Sequence, residues 1–297
     1  MQLGVNVPNF GPGTDPGMLR GWAQVVEGLG YDLLMVSDHV AVTPDVAVGY
    51  PEPFYEPFTT LSWLAGVTRR VRLGTTVLIL PYRHPLLVAR MVGNLNQLSG
   101  GRFVLGVGAG WAEGEFAALG VPFGERGRLT DACLGVLREA GVTAGATERV
   151  ERTGRTEPAG GTVGVAGVGG GAPVPVWVGG HSAAALRRVV RYGDAWHPLR
   201  LSTARMRTVL AEHALPGFAP RIALRLTDAP VDDPARPAGV GTVEQVRDDL
   251  EHLRLLGAEA VVFDPYHGDP AETRRPEPAW RALAEVAEVA SHWRAAA

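Results

Sequence analysis

Short apolar, β-branched runs alternate with stretches of helical period along this chain, at residues 3–7, 33–36, 71–78, 103–107, 176–178, 195–196, 222–226 and 260–263. Between and after them, helical periodicity predicts helices over 16–29, 57–68, 85–98, 129–140, 182–192, 203–213, 243–256 and 278–293. A helix between two strands carries the chain back to the start of the next strand, which builds a parallel sheet. Proline opens the first three helices, at the first turn where its missing N–H costs nothing. Eight such strands suffice to close a barrel, so the fold class is α/β: a single (β/α)8 TIM-type barrel over residues 1–297.

Two segments break the rhythm. Residues 141–175, rich in Gly and Arg, are too long for a connector and form a long insertion loop before strand 5. The glycines predict a mobile cover in which substrate identity is encoded. Residues 228–241, rich in Pro and Asp, read as a second loop on the barrel rim.

Composition narrows the partners. A net charge of -3 and a pI near 6.3 give no general attraction to phosphate backbones or anionic lipid, so nucleic acid and membrane are not expected partners and a small-molecule substrate is. The chain has no lysine, which excludes Schiff-base chemistry and a P-loop lysine and leaves arginine, histidine and backbone N–H for any anion. Cys133 is the only cysteine, so there is neither a disulfide framework nor a thiolate metal cluster, and the scattered histidines show no metal-ligand spacing. No secretory leader pattern opens the chain and no apolar stretch approaches membrane length, so a cytoplasmic location is expected.

In such barrels the active site sits at the C-terminal ends of the strands, which directs attention to the residues after each apolar run. Asp38 and His39 follow the second run; on extended backbone they point oppositely, so one faces the mouth and the other supports it. Histidine there can donate or accept a proton near neutral pH, although a capping Asp38 and a rim-filling His39 explain the pair equally well. Gly106-Val-Gly-Ala-Gly-Trp111 lacks the third glycine and acidic partner of a dinucleotide loop, but its glycines allow a flat ring to approach backbone. Gly179-Gly180-His181-Ser182 ends a strand and opens a helix, which makes either an anion seat or a tight turn capped by Ser182.

Ser37-Asp38-His39, Leu73-Gly-Thr-Thr-Val77, Arg83-His84-Pro85, Leu98-Ser-Gly-Gly-Arg102, Gly106-Val-Gly-Ala-Gly-Trp111, Glu115-Phe116, Trp177-Val-Gly-Gly180 and Gly193-Asp194-Ala-Trp196 occur in that order. Together they resemble the bacterial luciferase-like monooxygenase family, specifically its branch of oxidoreductases that use the deazaflavin coenzyme F-420. The resemblance implies a TIM-type barrel, frequent homodimers and a cofactor at the strand C-termini. It puts Asp38 and His39 at the ring, His39 as proton donor, and a bulge with a non-prolyl cis peptide near Thr76 and Val77. It also implies that Ala109, Gly110 and Trp111 line the ring, that Gly179, Gly180, His181 and Ser182 hold the phosphate, and that His197 belongs to the pocket.

Members that oxidise sugar phosphates carry a catalytic glutamate where this chain has Trp111, and bind substrate phosphate with lysines that this chain lacks, which argues against that activity. The expected reaction is hydride transfer between the deazaflavin and a small organic substrate, with His39 exchanging the proton and Trp111 excluding water. One alternative is a monooxygenase using oxygen and FMN supplied by a separate reductase. The other is a barrel that binds ligand without redox chemistry.

Overall fold

The computed structural model describes residues 1–143 and 173–290. Eight parallel strands form one sheet: β1 (Gln2–Asn6), β2 (Leu33–Val36), β3 (Arg72–Ile79), β4 (Phe103–Gly108), β5 (Val176–Gly179), β6 (Ala195–His197), β7 (Arg221–Ala223) and β10 (Ala260–Asp264). Their order is β6-β5-β4-β3-β2-β1-β10-β7. Single parallel bridges, Trp196 to Phe218 and Leu199 to Arg221, join the two ends and close the barrel.

The run expected at 222–226 is two elements. The chain leaves the barrel at Leu224, whose N–H donates to the Asp264 carbonyl, and continues as β8 (Arg225–Leu226), paired with β9 (Val240–Gly241). Part of the rim loop expected at 228–241 is therefore ladder. Gly239, at φ +84°, makes that crossing possible, because a Cβ there would lie 1.8 Å from the Ala223 carbonyl oxygen. Nearly all of the cover expected at 141–175 lies outside the described residues; its flanks meet in a parallel bridge between Thr143 and Val174.

The helices are α1 (Pro16–Gly28), α2 (Pro44–Ala47), α3 (Pro57–Val67), α4 (Pro85–Leu98), α5 (Glu113–Ala118), α6 (Arg126–Glu139), α7 (Ala183–Tyr192), α8 (Thr203–Glu212), α9 (Val243–Leu255) and α10 (Glu277–Val289). Proline starts α1, α3 and α4 as expected, and the preceding Asp15, Glu56 and His84 side chains each accept an otherwise unpartnered backbone N–H of the first turn. The short α2 and α5 stand on the rim, where sequence periodicity has too few turns to register. No described helix is long and apolar enough to cross a membrane.

Alternation along the strands separates two cores. Outward residues such as Leu34, Val36, Leu105 and Val261 meet the helices, while Leu33, Met35, Val104, Trp177, Ala260 and Val262 plug the barrel. Open space lies beyond the C-terminal ends of the strands.

Candidate active site

A cleft of about 650 Å³ opens at those ends, and all twelve side chains singled out from sequence line it. They come from the ends of five consecutive strands, β2 to β6, so distant segments converge because the strands are parallel.

His39 follows β2, whose end is pinned by Asn9: the Asn9 amide donates to the Ser37 carbonyl and accepts the Ser37 N–H, both at 3.0 Å. His39 Nδ1 lies 2.6 Å from Glu115 Oε2 on α5. Glu115 is fully buried; it also accepts the N–H groups of Val40 and Ala41 and the Tyr82 hydroxyl at 2.9 Å. Burial pushes its carboxyl up, but the His39 ring and these donors outweigh burial and hold it below the ordinary range. A carboxylate only accepts, so Nδ1 carries the hydrogen and Nε2 is left for the cleft. Burial and Glu115 together raise the Tyr82 hydroxyl far above its usual range, so Tyr82 remains a donor in this relay.

Asp38 lines the same cleft but turns its carboxylate to the scaffold. Arg83 holds it with two hydrogen bonds, at 2.7 and 2.8 Å, and the Ile79 N–H donates at 2.8 Å. Asp38, expected at the ring alongside His39, thus ties β2 to the end of β3.

The peptide between Thr76 and Val77 is cis, and β3 bulges there: Thr75 pairs with Leu105, but Leu78 pairs with Val107. The extra residue pushes Val77 into the cleft between Gly108 and Gly179. A Cβ on Gly108 would lie 2.6 Å from Val77 Cγ2. Gly108→Ala is expected to displace Val77 and lower stability by about 1–3 kcal/mol, read as an earlier urea midpoint; an unmoved midpoint would show that Val77 yields freely.

His197 sits beneath the bulge. Its Nδ1–H donates to the Ala219 carbonyl, so Nε2 accepts the Thr76 hydroxyl at 2.9 Å. Complete burial pushes this imidazole down to about 4, with the nearby Arg221 acting in the same direction, so it is neutral and structural at pH 7.

At the opposite end, the indole N–H of Trp196 donates to the Gly180 carbonyl at 2.8 Å and fixes the turn into α7. Ser182 caps α7 through its side chain, 3.2 Å from the Ala185 nitrogen. Among the described residues, the N–H groups of Gly180, His181 and Ser182 donate to no backbone carbonyl. Arg126 and Arg188 line the same end; Arg188 is paired with Asp131 at 2.6 Å, so the helix terminus and the Arg126 guanidinium favour an anion there. Ala109, Gly110 and Trp111 form the wall between the two ends, with the Trp111 ring edge-on to His39 at 5.8 Å.

Sequence reasoning assigned no role to Glu115, Arg126, Arg188, Arg221 or Asp264. Glu115 carried a signal, an acid beside Phe116 on the buried side of a short helix. Asp264 carried another, since it ends the eighth apolar run as Asp38 follows the second. The arginines carried none: Arg126 and Arg188 reach the cleft through helix packing, and Arg221, at the start of β7, meets Asp264 and Thr76 only across the folded barrel.

A family model described as luciferase-like monooxygenase matches residues 1–215. An uncharacterized protein of Mycobacterium tuberculosis is 35% identical over 194 residues, which cover 59% of this chain and 62% of that protein, less than two thirds of its length. The structure of the coenzyme F-420-dependent tetrahydromethanopterin reductase from Methanopyrus kandleri superposes with a TM-score of 0.67 at 16% identity, over 97% of each chain. The oxygenating constituent of 3,6-diketocamphane monooxygenase from Pseudomonas putida, in complex with FMN, superposes with a TM-score of 0.65 at 15% identity, also over 97% of each. At such identities these two structures share the fold with this chain, and one is F-420-dependent while the other holds FMN.

Proposed function

We propose that this chain, which belongs to the luciferase-like monooxygenase family, binds coenzyme F-420 in the cleft and exchanges a hydride equivalent between it and a small organic substrate. The observation that carries this reading is the His39–Glu115 pair, which presents one imidazole nitrogen to the cleft beside the Thr76–Val77 bulge.

The cleft fits the group. A flat ring needs a wall without bulky side chains, and Gly108, Ala109 and Gly110 give one opposite Val77. A phosphate needs donors and positive charge, which the N–H groups of Gly180, His181 and Ser182 and the guanidinium group of Arg126 provide. When bound, the deazaflavin supplies two-electron hydride chemistry. The chain does the rest. His39 Nε2 gives or takes the proton that balances hydride addition or removal on the substrate, and Glu115 fixes the tautomer and orientation of the ring. Trp111, Tyr50 and Val77 narrow the space in which water competes.

The test is titration of the full chain with coenzyme F-420 and, separately, FMN, followed by fluorescence. Micromolar binding of the deazaflavin with FMN much weaker is expected. Gly180→Val, at a residue with φ +93° and a built Cβ 3.2 Å from Ala185, is expected to weaken that binding about tenfold or more. A preference for FMN would replace this reading with oxygen chemistry, and equal affinity of Gly180→Val would move the phosphate elsewhere.

A further inference from the structure

Among the described residues, the half of the cleft beside His39 has no uncommitted cation, whereas at the phosphate end Arg126 has no acidic partner. Arg83 is held by Asp38 and Glu56, and both Arg200 and Arg221 are held by Asp264. The carboxylate of Glu115 lies directly behind His39. Among the described residues, an anionic substrate group would therefore meet no free guanidinium there and would feel Glu115.

What His39 does have is aromatic company. Tyr50 lies 5.2 Å away between ring centroids and tilted 33°, Phe54 lies edge-on at 5.4 Å, and Trp111 edge-on at 5.8 Å. Trp111 is 54% exposed, a large apolar surface turned to the mouth. Tyr50 is itself positioned by the Phe10 ring at 5.1 Å and by Tyr266, whose hydroxyl holds the Gly49 carbonyl at 2.6 Å. Among the described residues, no group receives or donates a hydrogen bond at the Tyr50 hydroxyl, although Tyr50 lines the cleft. A phenol held by ring packing with its polar end free is a donor waiting for a ligand.

Resting on the reading of this cleft as the active site, we propose that its His39 end accepts an uncharged, planar or aromatic substrate, stacked by Trp111 and gripped at a carbonyl or hydroxyl oxygen by Tyr50. Tyr50 is thereby a specificity-determining residue.

Isothermal titration of the full chain with 2-naphthol and with 2-naphthoate at pH 7, each with and without saturating coenzyme F-420, tests this. Binding of 2-naphthol about tenfold or more tighter than of 2-naphthoate is expected. Tyr50→Phe, which keeps the ring and its packing, is expected to weaken 2-naphthol about fivefold and leave 2-naphthoate unchanged; Trp111→Ala weakens 2-naphthol about tenfold. The coenzyme is expected to leave the 2-naphthol affinity unchanged or improve it. No binding of 2-naphthol, equal binding of the anion, an unaffected Tyr50→Phe variant, or displacement by the coenzyme would each overturn the proposal. The coenzyme reading fails separately: the naphthol pattern with no F-420 binding leaves the substrate class standing and removes the deazaflavin.

Discussion

Replacing His39 by alanine is expected to slow turnover by about 10³-fold while changing coenzyme affinity by less than about threefold. The imidazole lines the cleft but stands apart from the N–H groups of the α7 turn, so its loss removes a proton route and leaves the phosphate seat intact. Glu115→Gln separates position from chemistry. The amide still fills the buried space behind His39, but it no longer carries the charge that Nδ1–H, Val40 N–H and Ala41 N–H address. Turnover should fall by about 10- to 100-fold, less than for His39→Ala, because the imidazole remains while its orientation is relaxed. Single-turnover rates with bound coenzyme read both effects. Wild-type rates in His39→Ala would remove the imidazole from the mechanism, and a wild-type rate in Glu115→Gln would confine that carboxylate to folding.

The barrel was legible because its signal is repeated: each of the eight runs is short, apolar and followed by helical period, and parallel pairing buries both faces of each strand. Position in the barrel then located His39 and the turn at Gly179–Ser182, since these lie next to strand ends, while the bulge at Thr76 and Val77 followed from the family resemblance alone. What was not legible depends on contacts between segments far apart in the chain. Glu115 reaches His39 across 76 positions, and Arg221 reaches Thr76 across 145, so no local pattern encodes either pairing. At Asp38 the alternation of extended backbone was legible: it turns the carboxylate to Arg83 while His39 meets Glu115, whereas the resemblance had put both residues at the ring. The split of the 222–226 run escaped because β8 and β9 have two residues each, too few to show a period.

Beneath the cleft, Asp264 is expected to matter as much to stability as His39 does to turnover. Its buried carboxylate accepts Arg221 and Arg200, each at 2.8 Å, and the Asn6 amide at 3.2 Å, while Arg221 also donates to the Thr76 carbonyl under the bulge. Asp264→Ala leaves the buried Arg221 guanidinium without its counter-charge and should cost about 3–5 kcal/mol in urea unfolding at pH 7. Adding Arg221→Met removes the stranded charge and should recover more than half of that loss; no recovery would show that Asp264 acts by filling space. The pH dependence adds a second signature. Burial raises the Asp264 carboxyl, but Arg221 and Arg200 outweigh burial and hold it below the ordinary carboxylate range. The unfolded chain then takes up the proton first, near pH about 3.9 for an ordinary aspartate, so this stabilisation is complete above that pH and is lost as pH falls through the folded value. His197 acts in a higher window. Buried and pushed down to about 4, it stays neutral while the unfolded imidazole protonates from about 6.5 downward. Between those values stability should fall by about 3 kcal/mol as the solution is acidified. Wild type should therefore weaken in two stages, from about pH 6.5 to 4 through His197 and below about pH 4 through Asp264. The double variant should keep the first stage and lose most of the second, and a second stage of undiminished depth would assign acid sensitivity to other carboxylates.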